Sequence, residues 1–266
     1  MRKYLFLLLM VLSCPFHAHA ALHTQAVDYK HGDVSLEGYL AYDEKFSNDQ
    51  ARHPAVMIVH EWKGLGDYAK RRAEQLAELG YIAFAIDMYG KDIRPKTHEE
   101  AAKQSGIYRS DRNLMRSRAR AGLETLKNFP FVDSARLAAI GYCFGGTTVL
   151  EMARAGEDLK GVASFHGGLS APEPAEPGKV KAKVIAFHGA SDPFESPSEV
   201  AAFKDEMTKA GVDFQFIPYE GAVHSFTVKE AGDDPAKGMA YNEKADKDSW
   251  EKLKGFLESV LKPSLS

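Results

Sequence analysis

The chain has 266 residues, of which 44% are hydrophobic and 27% charged, and its formal net charge is −3. This hydrophobic content excludes a disordered or low-complexity chain, and the lack of a basic excess argues against nucleic acid as a partner. Two cysteines are present, Cys14 and Cys143, and a predicted processing site separates them.

The first twenty residues have the pattern of a secretory signal. Arg2 and Lys3 precede an apolar run of about nine residues, which is shorter than the roughly 20 needed to span a bilayer. Ala18-His19-Ala20 then supplies the small residues of a cleavage site. We predict that residues 1–20 are removed and that the rest is exported, periplasmic or secreted, without stable membrane insertion. A lipoprotein processed at Cys14 is the minor alternative.

Residues 21–266 alternate strand and helix signals. Gly32-Asp33 divides an antiparallel start over residues 26–42. Short apolar runs then predict strands buried on both faces, at Val56–Val59, Ile82–Ile86, Leu137–Ile140, Val162–Phe165 and Val184–Phe187, with another strand at Asp213–Tyr219. Helical patterns separate them, over 67–79, around 110–127, over 147–154, from a capping Ser198 to Gly211, and over 250–261. This order predicts one domain with a doubly wound, mostly parallel sheet and helices on both faces.

The strongest local signal is the hexapeptide Gly141–Gly146, which lies between a predicted strand and a predicted helix. In this context G-x-C-x-G is the nucleophile elbow of an α/β-hydrolase fold, with cysteine in place of serine. The helix N-terminus favours a thiolate at Cys143, and the N–H of Phe144 points where an oxyanion would form. We predict that Cys143 is the nucleophile; the alternative is a buried, inert cysteine.

An elbow predicts an acid after a later strand and a histidine after the last one. Asp192 and His224 occupy these places and complete a predicted catalytic triad. The N–H of Trp62, after the first parallel strand, is the predicted second donor of the oxyanion hole. Glu61 precedes it, and the residue alone is equally consistent with a solvated loop carboxylate. Because residue 64 is glycine, the zinc motif H-E-x-x-H fails, and we expect neither a metal nor a cofactor.

Together these motifs resemble the dienelactone hydrolase family. The resemblance extends over about residues 27–261 and includes Gly-x-x-His224-Ser225-Phe226. It implies that a Cys-His-Asp triad of Cys143, His224 and Asp192 opens an enol-lactone through an acyl-enzyme. It also implies that Glu61 interacts with the thiol.

The chain departs from the family where dienelactone-cleaving members hold the substrate carboxylate with two arginines. The first arginine lies in a stretch that reads Asp87-Met88-Tyr89-Gly90-Lys91 here, and lysine keeps the charge but loses the bidentate fork. The second position is Val228. Tyr89 and Lys91 remain candidate substrate-binding residues, and the resemblance leaves open whether the substrate carries a carboxylate.

Four arginines also recur at helical spacing: Arg109, Arg112, Arg116 and Arg120. Such a stripe is typical of a solvated helix face, although an anion or membrane contact is the alternative. His166 and His188 show no ligand spacing, and we interpret them as structural or exposed.

The sequence thus predicts an exported hydrolase of small esters or lactones that acts through a cysteine acyl-enzyme. Its predicted partner is a small molecule, and the sequence carries no signal for its oligomeric state. The alternative is a non-hydrolytic exported thiol or binding protein on a hydrolase scaffold. A redox role is disfavoured because cleavage of the signal would leave no second, resolving cysteine.

Overall fold

The computed structural model describes residues 21–262, so the predicted signal peptide lies outside the described residues. Eight strands form one sheet: β1 (Leu22–His31), β2 (Val34–Asp43), β3 (His53–Val59), β4 (Ile82–Ile86), β5 (Val132–Tyr142), β6 (Gly161–Phe165), β7 (Lys183–Gly189) and β8 (Phe214–Tyr219). Six α-helices accompany them: α1 (Asp67–Glu78), α2 (His98–Ser110), α3 (Arg112–Lys127), α4 (Phe144–Arg154), α5 (Pro197–Lys209) and α6 (Glu243–Leu261).

The spatial order of the strands is β1-β2-β4-β3-β5-β6-β7-β8. β1 and β2 form an antiparallel hairpin in which His31 pairs with Val34 across Gly32-Asp33, and β2 runs antiparallel to β4. All other neighbours are parallel. This arrangement confirms the predicted α/β-hydrolase fold, with a doubly wound, mostly parallel sheet and antiparallel N-terminal strands.

Helices cover the sheet on both sides, which explains the continuous apolar runs of the central strands. On one side α1 and α6 pack through side chains such as Ala73, Leu76, Leu253 and Leu257. On the other side α2, α3, α4 and α5 contribute Tyr108, Met115, Val149 and Phe203. Every residue of β4 is buried because both of its faces are covered.

Local chemistry sets the helix ends. α2 lies outside the predicted helices, although Thr97 and Glu100 form a capping box at its start. The predicted caps shift by one or two residues: α1 begins after Gly66, with Asp67 in its first turn, and α5 is capped by Ser196, not Ser198. In α5, Pro197 occupies the first helical position, where its missing N–H costs nothing.

The topology positions the site at the carboxyl edge of the sheet. β3 lies between β4 and β5, and Val59 is in register with Gly141. The loop after β3 and the turn after β5 are therefore neighbours at the point where the strand order reverses, where such sheets bind ligands. Within residues 21–262, no helix is long and apolar enough to cross a bilayer.

Candidate active site

Cys143 lies on a strained turn between β5 and α4. Its φ of 53° and ψ of −116° are unfavourable for a residue with a side chain, and such strain is typically held by its surroundings. A Cβ on Gly141 would overlap the carbonyl of Gly145, and a Cβ on Gly145 would overlap the carbonyl of Val59. The elbow can therefore form only with glycine on either side of the nucleophile.

The structure brings the three predicted triad residues together. Asp192 follows β7 with its side chain fully buried, and its Oδ2 lies 2.8 Å from Nδ1 of His224. Oδ1 of Asp192 accepts a hydrogen bond of 2.9 Å from the N–H of Phe194. His224 follows β8, and Cys143 and His224 line the same cavity.

The pKa of His224 depends on burial and on its two neighbours, Cys143 and Asp192. Burial acts to lower the pKa of His224, but interaction with the sulfur of Cys143 and with the carboxylate of Asp192 outweighs it. The result is a pKa raised to about 10. His224 is therefore protonated at neutral pH.

A second histidine, His166, forms a hydrogen bond with the backbone of the elbow. The N–H of Cys143 is shared between the carbonyl of Phe165, at 3.0 Å, and Nδ1 of His166, at 3.2 Å. Nε2 of His166 is 2.8 Å from Oγ1 of Thr227, whose hydroxyl is 2.7 Å from that of Tyr68. Burial and the charge of His224 hold the pKa of His166 well below its usual value. A neutral His166 with its proton on Nε2 satisfies both contacts.

The predicted oxyanion donors lie on the two neighbouring loops. Phe144 is the first residue of α4, where the N–H has no partner within the helix. Trp62 lines the cavity, and its carbonyl accepts a 2.9 Å hydrogen bond from the hydroxyl of Tyr89. The ring of Tyr89 contacts the ring of Phe144, so buried Tyr89 supports both loops.

Glu61 lies beside Trp62 in an adjoining groove of about 550 Å³. Its desolvation raises its pKa to about 7, and the positive charge of His224 is the main opposing influence. Glu61 is thus electrostatically coupled to the triad histidine, and its carboxyl group titrates near neutral pH.

The cavity at Cys143 has a volume of about 400 Å³. Besides Trp62 and the triad cysteine and histidine, it is lined by Arg109, Arg112, Thr147, Gly168, Ser170, Phe194, Glu195, Glu199 and Met239. Lys91 is not among these residues, since its Nζ lies 2.7 Å from Asp28 and 3.3 Å from Glu37. Within residues 21–262, no group of three or more His, Cys, Asp or Glu side chains could hold a metal ion.

Sequence comparison agrees with this geometry. The family model "Dienelactone hydrolase family" matches residues 36–261. The chain belongs to the dienelactone hydrolase family. A relative from Synechocystis sp., named as a provisional carboxymethylenebutenolidase, is 27% identical over 256 residues, covering 91% of this chain and 98% of the relative. An uncharacterised protein of Caenorhabditis elegans is 38% identical over 154 residues, covering 57% of this chain and 98% of that protein.

Solved structures extend the similarity. A dienelactone hydrolase-like promiscuous phosphotriesterase from metagenomic libraries is 36% identical, with a TM-score of 0.85 and coverage of 91% of this chain and 99% of that one. The dienelactone hydrolase of Anabaena variabilis is 21% identical, with a TM-score of 0.66 and coverage of 91% and 99%, and shares the fold. The chain is a carboxylic-ester hydrolase of the dienelactone hydrolase type, which acts on a small molecule.

Sequence reasoning missed several residues of the site. Arg109 and Arg112 belong to the stripe that the sequence interprets as a solvated face, yet they line the cavity. His166 is structural, in agreement with one of its two interpretations, but the sequence carries no signal for its contact with the N–H of Cys143. Glu195 follows the triad aspartate by three positions, which was the available signal that it would lie nearby. Burial raises the pKa of Glu195 to about 7, opposed by a hydrogen bond from the N–H of Leu169.

Proposed function

We propose that this protein hydrolyses small esters or lactones through a thioester on Cys143. The proposal rests on the position and pKa of His224. Its Nδ1 lies 2.8 Å from Oδ2 of Asp192, and the neighbouring sulfur of Cys143 helps to raise its pKa. A thiolate beside a protonated imidazole combines a nucleophile and a proton donor in one pair. The cavity of about 400 Å³ is of the size that accepts a small substrate.

In the first half-reaction the thiolate attacks the carbonyl carbon, and the carbonyl electrons move to oxygen. The N–H groups of Phe144 and Trp62 stabilise that oxyanion. As the intermediate collapses, the carbon–oxygen bond of the ester breaks and the leaving oxygen takes the proton of His224. The product is a thioester on Cys143 and a free alcohol or enol; for a lactone, both remain one molecule.

In the second half-reaction, now neutral His224 removes a proton from water, and the resulting hydroxide equivalent attacks the thioester. Collapse of this intermediate breaks the carbon–sulfur bond and releases the acid. Cys143 leaves as a thiolate and His224 keeps the proton, so the starting ion pair is restored. Asp192 orients the imidazole in both halves.

Mass spectrometry during turnover of an activated ester tests the mechanism. We expect an acyl adduct on Cys143 in the wild type, no adduct in Cys143→Ala, and hydrolysis at least about 10³-fold slower in that variant. Equal turnover in both proteins would contradict the cysteine mechanism. Binding or oxidation of Cys143 without acylation would instead support the thiol or binding protein.

The proposal includes export. Its support is the sequence of residues 1–20, with Arg2 and Lys3 before the apolar run and Ala18-His19-Ala20 after it. N-terminal sequencing of the protein from the exported fraction of expressing cells should begin at Ala21. A chain that stays in the cytoplasm with residues 1–20 attached would contradict export without touching the chemical mechanism.

A further inference from the structure

The four arginines of the stripe divide into two pairs. Nη2 of Arg116 lies 2.8 Å from the carboxylate of Glu151, and Arg120 forms an ion pair with Glu157. Arg109, at the end of α2, and Arg112, at the start of α3, line the cavity of Cys143 instead. Among residues 21–262, neither of these two has a carboxylate within ion-pair distance.

The side chain of Arg112 lacks strong hydrogen-bond acceptors among the described residues. Its Nε is inaccessible to solvent and has no hydrogen-bond partner among the described residues. Its Nη1 lies 3.6 Å from the sulfur of Met115, a weak acceptor. Nε itself is closed to solvent, but other atoms of Arg112 line the cavity. A cationic side chain without a strong acceptor is costly, so an anion against this part of Arg112 would be bound favourably.

The residues around Arg112 do not supply that acceptor. Glu151 favours the charged form of Arg112, yet Glu151 already binds Arg116 and Arg154. Burial lowers the pKa of Arg112, and Arg154, Arg109 and Arg116 add to that effect. At the junction of α2 and α3, Arg109 and Arg112 therefore outnumber the carboxylate of Asp111, whose Oδ1 accepts a hydrogen bond from the N–H of Leu114.

The positions where the family resemblance places carboxylate-binding arginines are unsuitable here. Lys91 is occupied by Asp28 and Glu37, and Val228 is a buried apolar residue. The cavity's two carboxylates, Glu195 and Glu199, come from the segment after β7, and among residues 21–262 neither forms an ion pair with Arg109 or Arg112. Besides protonated His224, the positive charge among the lining residues comes from Arg109 and Arg112, as far as residues 21–262 show.

We propose that Arg112, with Arg109 beside it, binds an anionic group, a carboxylate or a phosphate, carried by the substrate. We call these two residues the arginine wall. A planar guanidinium with free N–H groups binds such anions through paired, charge-assisted hydrogen bonds. The inference rests on the proposed function, because the anion is placed in the cavity where Cys143 attacks the ester.

Two matched esters test the arginine wall. Butyrate and hydrogen succinate 4-nitrophenyl esters differ only in a terminal methyl or carboxylate, so the ratio of their kcat/KM values isolates the charge. We expect Arg112→Gln to lower the ratio of succinate to butyrate by at least about tenfold, the size of one charge-assisted hydrogen bond. Arg112→Lys should retain part of the ratio, because it keeps the charge.

Arg120→Gln is the matched control, since Arg120 lies on the same helix but pairs with Glu157 outside the cavity. It should leave the ratio unchanged. An unchanged ratio in Arg112→Gln, or an equal loss in Arg120→Gln, would overturn the inference. Hydrolysis of the butyrate ester that still requires Cys143 would show that the proposed function survives that failure.

Calorimetry with succinate and with inorganic phosphate provides a readout that needs no turnover. We expect one of the two anions to bind the wild type and to lose at least about tenfold in affinity in Arg112→Gln. The anion that binds more tightly identifies the group. Binding of neither anion to the wild type, or equal binding to both proteins, would overturn the arginine wall even if neither ester is hydrolysed.

Discussion

Two walls of the same cavity differ in whether their polar groups have partners in the protein. On the triad wall, Cys143 and His224 line the cavity and Asp192 is buried against His224, so each group already has its partner in the protein. On the arginine wall, Nε of Arg112 has none among the described residues. Groups that must keep one geometry throughout the reaction are paired in advance, whereas the guanidinium of Arg112, which lines the cavity, has only the sulfur of Met115 as a partner among the described residues.

The largest expected effect comes from Asp192→Asn on the triad wall. The variant removes the charge that helps raise the pKa of His224 to about 10, so that pKa falls. Since acylation needs the proton on His224, the alkaline limb of kcat/KM should move to lower pH. We expect a loss of about 10³-fold at neutral pH, measured as pH profiles for both esters.

Asp192→Asn should lower hydrolysis of the neutral and the anionic ester by the same factor. The comparison between the walls fails if the loss is confined to the anionic ester, because Asp192 would then act in recognition. An unchanged alkaline limb would contradict the assignment of Asp192 as the partner of His224.

Gly145→Ala should destabilise the whole protein. The added Cβ would meet the carbonyls of Val59 and His60, and backbone atoms cannot move aside as a flexible side chain can. We expect the free energy of unfolding to fall by about 3 kcal/mol or more, measured by urea denaturation. Gly255→Ala, in α6 where an added Cβ meets open space, is the control and should stabilise by about 1 kcal/mol. Equal stability of the two variants would contradict the tight elbow.

Glu61→Gln should change stability in a pH-dependent way. The folded protein holds the proton of Glu61 up to a pKa of about 7, against about 4.5 in the unfolded chain. Ionisation of Glu61 therefore costs stability as the pH rises between these values. With the partial exposure of the side chain taken into account, Glu61→Gln should stabilise by about 1–2 kcal/mol at pH 8 and little at pH 4.

Urea denaturation at both pH values measures this difference, with Glu220→Gln, an exposed carboxylate, as the matched control. A gain of the same size at pH 4 and pH 8 would show that burial of the charge is not its cause. The effect of Glu61 on stability would then have a cause other than the charge of its carboxylate.

The smallest effect concerns Glu195, which faces Glu199, Asp192, His224 and the N–H of Leu169. Its pKa is about 7, so its charge enters the cavity as the pH rises from 6 to 8. The succinate-to-butyrate ratio should then fall by about two- to threefold, as expected for Coulomb repulsion over roughly 8 Å in water. Glu195→Gln should make the ratio independent of pH in this range; a persistent slope would assign it to another group.

The triad wall could be predicted from the sequence because each residue follows a strand signal and the three occur in a fixed order along the chain. Gly141, Cys143 and Gly145 mark the elbow, and Asp192 and His224 follow at strand ends in the required order. The same strand and helix signals predicted the fold, whose central strands read as continuous apolar runs. The α2 helix was missed because its apolar face is weak, although its capping box was visible.

The arginine wall could not be predicted in the same way. Arg109, Arg112, Arg116 and Arg120 follow one helical spacing, and only the position of acidic partners on α4 and just beyond it separates the paired from the unpaired. Those partners, Glu151 and Glu157, come more than thirty residues later in the chain. Periodicity reports which residues share a face and carries no information about what lies opposite.

The triad is assembled from distant parts of the chain, and this has a consequence for folding. Cys143 follows β5, Asp192 follows β7, and His224 follows the edge strand β8. No partly formed sheet that lacks β7 or β8 can align all three side chains, and such non-local contacts form slowly. Recovery of ester hydrolysis during refolding should therefore report completion of the sheet, later than signals from helix formation alone.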